Sequence, residues 1–373
     1  MTIPSAPSPT SPSRPLSSSR PWVHTPLLPS ASLSAVAGCR VFMKLDMHQP
    51  SGSFKSRGVG FQISEILRVH SLVSTETAHI YSSSGGNAGL AAVHASRLLG
   101  ARCTVVVPES TSAFMVGKIA GAGAEQVLIR GESWVDADRY VRQLVAEDKD
   151  GYYCAPFDHP DVWEGNATLV GEVLDDMHGE VPDVMVASVG GGGLLVGLQL
   201  GLERRGLEGR TRVVAVETRG AESLNASLRE GRLVTLEEVT SIATSLGART
   251  VAEKAFEVGT WDNVISRVVS DGAAARACVR FAEEERMLVE AACGASLAAV
   301  YELGLRKMMP ELTRESVVVV VVCGGKFILS LFWWSLTNGE QEAMSTWSFL
   351  RSTGGNIHFS RNHRHREGEA RDT

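Results

Sequence analysis

Four short segments hold the residue types from which a reaction centre could be built. In Pro50-Ser51-Gly52-Ser53-Phe54-Lys55-Ser56-Arg57-Gly58, a single lysine follows a Gly/Ser turn and opens a helix. Its amine can reach from a sheet edge into a cleft, where it would serve as nucleophile or base; an arbitrary lysine is a surface residue, so this segment gains weight only in company. Ser82-Ser83-Ser84-Gly85-Gly86-Asn87-Ala88-Gly89 follows a strand and opens another helix. Backbone N–H groups and Ser hydroxyls at a helix N-terminus favour an anion such as a carboxylate, and the plainer alternative is a βα loop capped by Asn87. Gly190-Gly191-Gly192-Gly193-Leu194 also sits between a strand and a helix. Successive glycines let the backbone close around a ligand with its N–H groups inward, which is a phosphate cradle. It has neither the dinucleotide GxGxxG spacing nor the Lys-Ser/Thr of a P-loop, and a hinge rarely sits so tightly between two elements. The fourth segment, Cys323-Gly324-Gly325, ends a valine run. Ligands in open α/β sheets bind beyond the carboxyl ends of strands, which aims Cys323 at the same crevice. That motif alone fits a buried core thiol equally well.

All four segments fall at βα junctions, which places them on one edge of a parallel sheet. They supply an amine, a carboxylate site, a phosphate site and a soft polar group. Those are the requirements of pyridoxal phosphate together with an amino acid.

The elements that must position these groups are visible as apolar runs. Val41–Leu45, Ile80–Ser82, Cys103–Val107, Gln126–Ile129, Val184–Val189, Val213–Val216 and Val264–Val269 read as strands. Helices are expected from Lys55 to about Leu67 and over Asn87–Leu99, Ser133–Val145, Ala273–Glu285 and Ala295–Met308. The unbroken valines of Val317–Val322 require a strand buried on both faces, as in a parallel sheet. Strand and helix alternate, so the fold class is α/β with a mostly parallel sheet. At 373 residues there is room for two domains. A net charge of −6 offers no general attraction to nucleic acid or to anionic membrane surfaces. The longest apolar stretch, Phe327 to Leu336, is too short to span a bilayer. Six scattered cysteines without CxxC spacing read as reduced thiols.

Several long motifs in fixed order carry a resemblance: PSGSFKSRG, SSSGGNAGLAA, VVVPEST, FDHPDVWEGN, SVGGGGLL, VVAVET, EAACGASLAAVY and VVCGG. From about Trp22 to Gly325 the chain resembles the fold-type II (tryptophan synthase β-like) pyridoxal-phosphate enzymes, and among them the serine/threonine dehydratase family. The resemblance implies two α/β domains with parallel sheets and the cofactor in the cleft between them, residues 22–56 with 156–334 forming the large domain and 57–155 the small one. Lys55 matches the lysine that forms the Schiff base, and Lys55 and Ser84 are the candidate catalytic residues. Phe54 and Ser245 match the residues on the two ring faces, Ser245 standing where the family usually has Ala. Ser84, Gly85, Gly86, Asn87 and Ala88 match the loop that grips the substrate carboxylate, Asn87 also meeting the ring hydroxyl. Gly190, Gly191, Gly192, Gly193 and Leu194 match the phosphate cradle, and Cys323 matches the group facing the pyridine nitrogen. Gly190, Glu217, Ala221, Leu246 and Ala248 match a monovalent-cation site, which would hold K+.

The implied reaction is removal of water and ammonia from L-serine, giving pyruvate. L-threonine would give 2-oxobutanoate. A serine racemase or threonine dehydratase of the same fold is the alternative enzyme, and a cofactor-free binding protein the alternative from another class. A thiol at Cys323 is a weak donor. It leaves the ring nitrogen neutral, which suits elimination over racemisation. The chain is expected to form a homodimer in the cytoplasm. Its Ser- and Pro-rich start is acidic-poor in the manner of a mitochondrial leader, but its prolines oppose the amphipathic helix of one, and residues 1–21 are expected to be a disordered tail. The family continues CGGSN into a last helix, whereas this chain reads CGGKFILSLFWWSL and then a polar stretch expected to be disordered over 335–373. Codons for Gly325-Lys326-Phe327 can contain the splice-donor sequence GTAAGT, so read-through of an intron from about Lys326 is the expectation.

Overall fold

The computed structural model describes residues 20–325. Of the tail expected over 1–21, residues 1–19 lie outside them, whereas Pro21 is buried against Gly60 of the helix that begins at Lys55, which ends the tail earlier than expected. The expectations for the intron read-through from Lys326 and for 335–373 lie outside the described residues. Along the chain the elements are β1 (Leu27–Pro29), α1 (Ala31–Ala37), β2 (Arg40–Lys44), α2 (Lys55–His70), β3 (His79–Ser82), α3 (Asn87–Leu99), β4 (Arg102–Val107) and α4 (Ala113–Gly121). There follow β5 (Gln126–Ile129), α5 (Trp134–Glu147), β6 (Gly151–Cys154), α6 (Pro160–Asp176), β7 (Val184–Ser188), α7 (Gly193–Glu203), β8 (Arg212–Thr218) and α8 (Ser223–Glu230). The last are α9 (Glu253–Gly259), β9 (Val264–Val269), α10 (Asp271–Glu285), α11 (Ala291–Ala298), α12 (Leu305–Met308) and β10 (Val317–Val321).

The strands make two sheets: a six-stranded one ordered β1-β2-β10-β7-β8-β9 and a four-stranded one ordered β5-β4-β3-β6. Every pairing is parallel except that of β1 with β2. Pro29 is tolerated because β1 is an edge strand. The valine strand β10 pairs with β2 on one side and β7 on the other, and all its residues are buried. This is the doubly covered position that a continuous β-branched run demands.

The four chemical segments do not share one sheet edge, contrary to the sequence expectation. The Pro50–Gly58, Gly190–Leu194 and Cys323–Gly325 segments follow strands of the six-stranded sheet, while Ser82–Gly89 follows β3 of the four-stranded sheet. The local βα pattern is identical in both sheets, so the sequence could not assign the segments between them. The single helix expected over Ala295–Met308 is likewise broken. It runs as α11, a π-helical turn Ala299–Leu303 and α12, and Gly304 at φ +76° interrupts the helical backbone between the last two.

Helix α2 starts at Lys55 and crosses α6 closely, since a Cβ on Gly58 or Gly165 would strike the backbone of the other helix. Two residues beyond Lys55, the fully buried Arg57 fixes this crossing. It donates to Asp46 through Nε at 2.7 Å and Nη2 at 2.8 Å, and to Glu172 of α6 at 2.6 and 2.7 Å. Asp46 also accepts from Thr25 Oγ1 at 2.7 Å. Lys44 reaches Glu172 at 2.9 Å and Asp176 at 3.2 Å. A buried cation is tolerated only with such complete pairing.

Candidate active site

Lys55 is the first residue of α2, and its amine donates to the carbonyl of Pro156 at 2.6 Å. The Nζ lies 5.2 Å from the Phe54 ring centroid and 5.9 Å from that of Phe157. Burial between these rings pushes the amine down to about 8, against the opposing pull of Cys154, Cys323 and Glu290. A lysine in this state is a usable base near neutral pH.

Gly192 takes φ +90° and precedes α7, so no capping side chain meets the first N–H groups of that helix. A Cβ on Gly191 would run into the Phe157 ring, and one on Gly190 would press on the Ser245 carbonyl and on Leu246. The bare backbone of Gly190–Leu194 is therefore required, and open helix amides behind a side-chain-free turn fit a phosphate. Leu194 itself is buried in the core of the six-stranded half.

Ser84, Gly85, Gly86 and Asn87 are partly exposed and Ala88 is buried at the start of α3. Ser84 Oγ accepts from the Gly86 N–H at 3.3 Å. Beneath this loop, Ser83 donates to Asp138 at 2.7 Å, and Asp138 also accepts from Tyr153 at 2.5 Å and Arg142 at 2.8 Å. Burial works against the ionised carboxyl, but the bonds from Tyr153, Arg142 and Ser83 outweigh it and hold Asp138 below the usual carboxylate range.

Asn87 brings the two sheets together. Its amide donates to Glu290 Oε1 at 2.9 Å and approaches Ser245 Oγ at 3.5 Å, while Ser245 donates to Glu290 Oε2 at 3.0 Å. On the other side of the site the Cys323 carbonyl accepts from the Phe54 N–H at 3.0 Å. Its thiol lies 3.6 Å from Ser188 Oγ. Hydrogen bonding with Cys293, together with burial, holds the thiol pKa well above its ordinary value, so Cys323 is neutral.

The structure thus gathers Lys55, Phe54, Asn87, Ser245, Cys323 and the glycine turn into one connected set. Pro156, Phe157, Ser188 and Glu290 belong to it and carried no role in the sequence reading, although Phe157, Ser188 and Glu290 fall within motifs quoted for the resemblance. Of the expected cation ligands, Gly190 packs on Leu246, and Ala248 donates to the Leu246 carbonyl at 2.7 Å. Glu217 lies on β8, and its carboxylate accepts from the N–H groups of Leu224 at 2.8 Å and Asn225 at 2.7 Å at the start of α8. Burial raises its carboxyl to about 8 despite those two bonds. Among the described residues there is no cluster of three His, Cys, Asp or Glu side chains able to hold a metal. No helix among them is long and apolar enough to cross a membrane.

Three known proteins are similar to this chain. A "serine dehydratase-like" protein of Rattus norvegicus is 46% identical over 310 residues, covering 82% of this chain and 91% of the relative. An "L-serine dehydratase/L-threonine deaminase" of Bos taurus is 42% identical over 309 residues, covering 82% and 92%. Among solved structures, a fungal L-serine ammonia-lyase from Rhizomucor miehei superposes with a TM-score of 0.78 at 34% identity, covering 85% of this chain and 98% of the other. The profile of the pyridoxal-phosphate dependent enzymes matches residues 19–324. With that match over most of its length, and with relatives more than 40% identical over four fifths of it, the chain belongs to the pyridoxal-phosphate dependent enzymes.

Proposed function

We propose that this chain is an L-serine dehydratase, an ammonia-lyase that converts L-serine to pyruvate and ammonia and L-threonine to 2-oxobutanoate. The observation that carries the reading is the gathering of a depressed-pKa lysine, a bare glycine turn and a neutral thiol in one cleft, opposite a helix-start loop suited to a carboxylate. Pyridoxal phosphate, when bound, supplies a conjugated electron sink that acidifies the α-proton of an attached amino acid.

Lys55 holds the cofactor, and its amine, once free and neutral, takes the α-proton of the substrate. The Ser84–Ala88 loop orients the substrate by its carboxylate, and Gly190–Leu194 hold the phosphate. The β-hydroxyl departs as water, taking up the proton that Lys55 removed from the α-carbon. The three-carbon enamine that leaves the site then adds water and yields pyruvate and ammonia. Cys323 would offer the cofactor a weak, uncharged donor, which suits elimination over racemisation. The active unit is read as a homodimer in the cytoplasm, with K+ held by Gly190, Glu217, Ala221, Leu246 and Ala248.

The test is product analysis with purified protein, pyridoxal phosphate and either L-serine or L-threonine. Stoichiometric 2-oxo acid and ammonia are expected. A protein that binds the cofactor covalently yet yields only D-serine would overturn the assignment in favour of a racemase.

A further inference from the structure

We propose that Glu290 is a positioning residue: its one carboxylate registers Asn87 and Ser245 across the cleft, so that groups from both sheets face the cofactor in a fixed arrangement. The proposal rests on the reading of this cleft as the pyridoxal-phosphate site. Three observations carry it. Glu290 is buried, at 8% exposure, yet its Oε1 accepts from Asn87 of the four-stranded half and its Oε2 from Ser245 of the six-stranded half. Its backbone is fixed independently, because its carbonyl accepts from the N–H groups of Cys293 at 2.9 Å and Gly294 at 3.0 Å. Although it stands at the N-cap of α11, its side chain makes no capping bond there and extends into the cleft instead.

A carboxylate is suited to this task by its donor count. It accepts on both oxygens, whereas Asn87 Nδ2 and the Ser245 hydroxyl must each donate to meet it. The space is tightly closed behind it, since a Cβ on Gly325 would collide with the Glu290 carboxyl group. Glu290 therefore acts through Asn87 and Ser245, not on the substrate directly.

Glu290→Gln keeps the shape but removes the charge that strengthens both bonds, and the Ser245 hydroxyl must turn from donor to acceptor to keep its contact. For the full chain we expect cofactor affinity, read by titrating tryptophan quenching of the apo-protein with pyridoxal phosphate, to weaken by about tenfold. The absorbance maximum of the bound cofactor should shift as well. Ser245→Ala removes one arm and should weaken affinity by about threefold. The double variant should be no worse than Glu290→Gln alone, because the two side chains act through one contact.

Full affinity and an unshifted absorbance maximum in Glu290→Gln, with the wild type binding normally, overturn the proposal. So do additive effects in the double variant. If Glu290→Gln fails to fold, Ser245→Ala decides alone, because Asn87 is itself expected to touch the cofactor: wild-type affinity and an unshifted absorbance maximum in Ser245→Ala overturn the proposal. A wild-type protein that binds no pyridoxal phosphate would instead refute the reading of the cleft.

Discussion

Lys55 must be both anchor and base, and its surroundings serve the two tasks by the same means. The flanking rings of Phe54 and Phe157 strip water from the amine and hold it near 8. Replacing Lys55 with Ala should abolish borohydride-fixed cofactor, read by mass spectrometry, and lower serine deamination by about a thousandfold. Turnover near the wild-type rate would rule out this lysine. The depressed pKa also sets a pH dependence. Covalent loading needs the neutral amine, so its rate in apo-protein should rise about tenfold per pH unit below 8 and level off above it. An amine with the ordinary value of 10.5 would still be accelerating at pH 10. Absorbance-monitored loading between pH 6 and 10 separates the two. At Cys323 the chemistry depends on the absence of charge. Cys323→Asp would present a carboxylate to the ring nitrogen and favour its protonated form. Slower pyruvate release with new racemisation or transamination products is expected, and chiral chromatography of the residual serine checks it.

At the scale of elements, turns carry the site and strands only aim them. Gly191→Val is expected to weaken cofactor binding far more than folding, because the side chain enters the phosphate turn and meets Phe157. Adding Phe157→Ala relieves the second clash alone. If that double variant recovers full cofactor affinity, the turn is a packing device and not a cradle. The turns were legible in the sequence because their glycines lie between a buried strand and a helix, a placement with few other uses. Strands such as β7, β8 and β10 were legible for a related reason: burial on both faces leaves a continuous apolar run. Helices α4, α6, α8 and α9 were not foreseen, since Gly, Asn and charged residues interrupt their apolar stripes. Glu290 was out of reach for a different cause. An acid before a helix reads as an ordinary N-terminal charge until the opposite sheet is in place. Glu217 illustrates the same limit. It caps α8 with both oxygens and is fully buried. Its raised pKa means that, without a cation, stability is fully present below the ordinary value of 4.5 and declines as pH rises through about 8. A bound K+ would favour the ionised form. KCl is therefore expected to raise the thermal midpoint more at pH 8 than at pH 5.5, and Glu217→Gln to remove that difference.

For the whole molecule, the question is what holds two sheets with separate hydrophobic cores in one relation. The bonds at Asn87 register side chains at the front of the site. The stronger tie lies behind the cleft, where α2 crosses α6. There Arg57 links the strap before β1, the segment after β2, and α6, through Thr25, Asp46 and Glu172. Because Arg57 sits two residues from Lys55, the same contact fixes the start of the helix that carries the reactive amine. Replacing Arg57 with Met leaves the fully buried Asp46 carboxyl without its cation, a change that costs about 3–5 kcal/mol. Urea denaturation of the apo-protein should show that loss as a lower midpoint. Converting Asp46 to Leu in the same chain removes the stranded carboxyl, and most of the stability should return. Function should not return with it. An apolar pair has no directional bonds to Glu172 and Thr25, so the α2 start is free to shift, and the double variant is expected to load cofactor more slowly than wild type at equal stability. Equal loading rates would mean that Arg57 serves stability alone and that the glycine crossing at Gly58 and Gly165 suffices to aim Lys55.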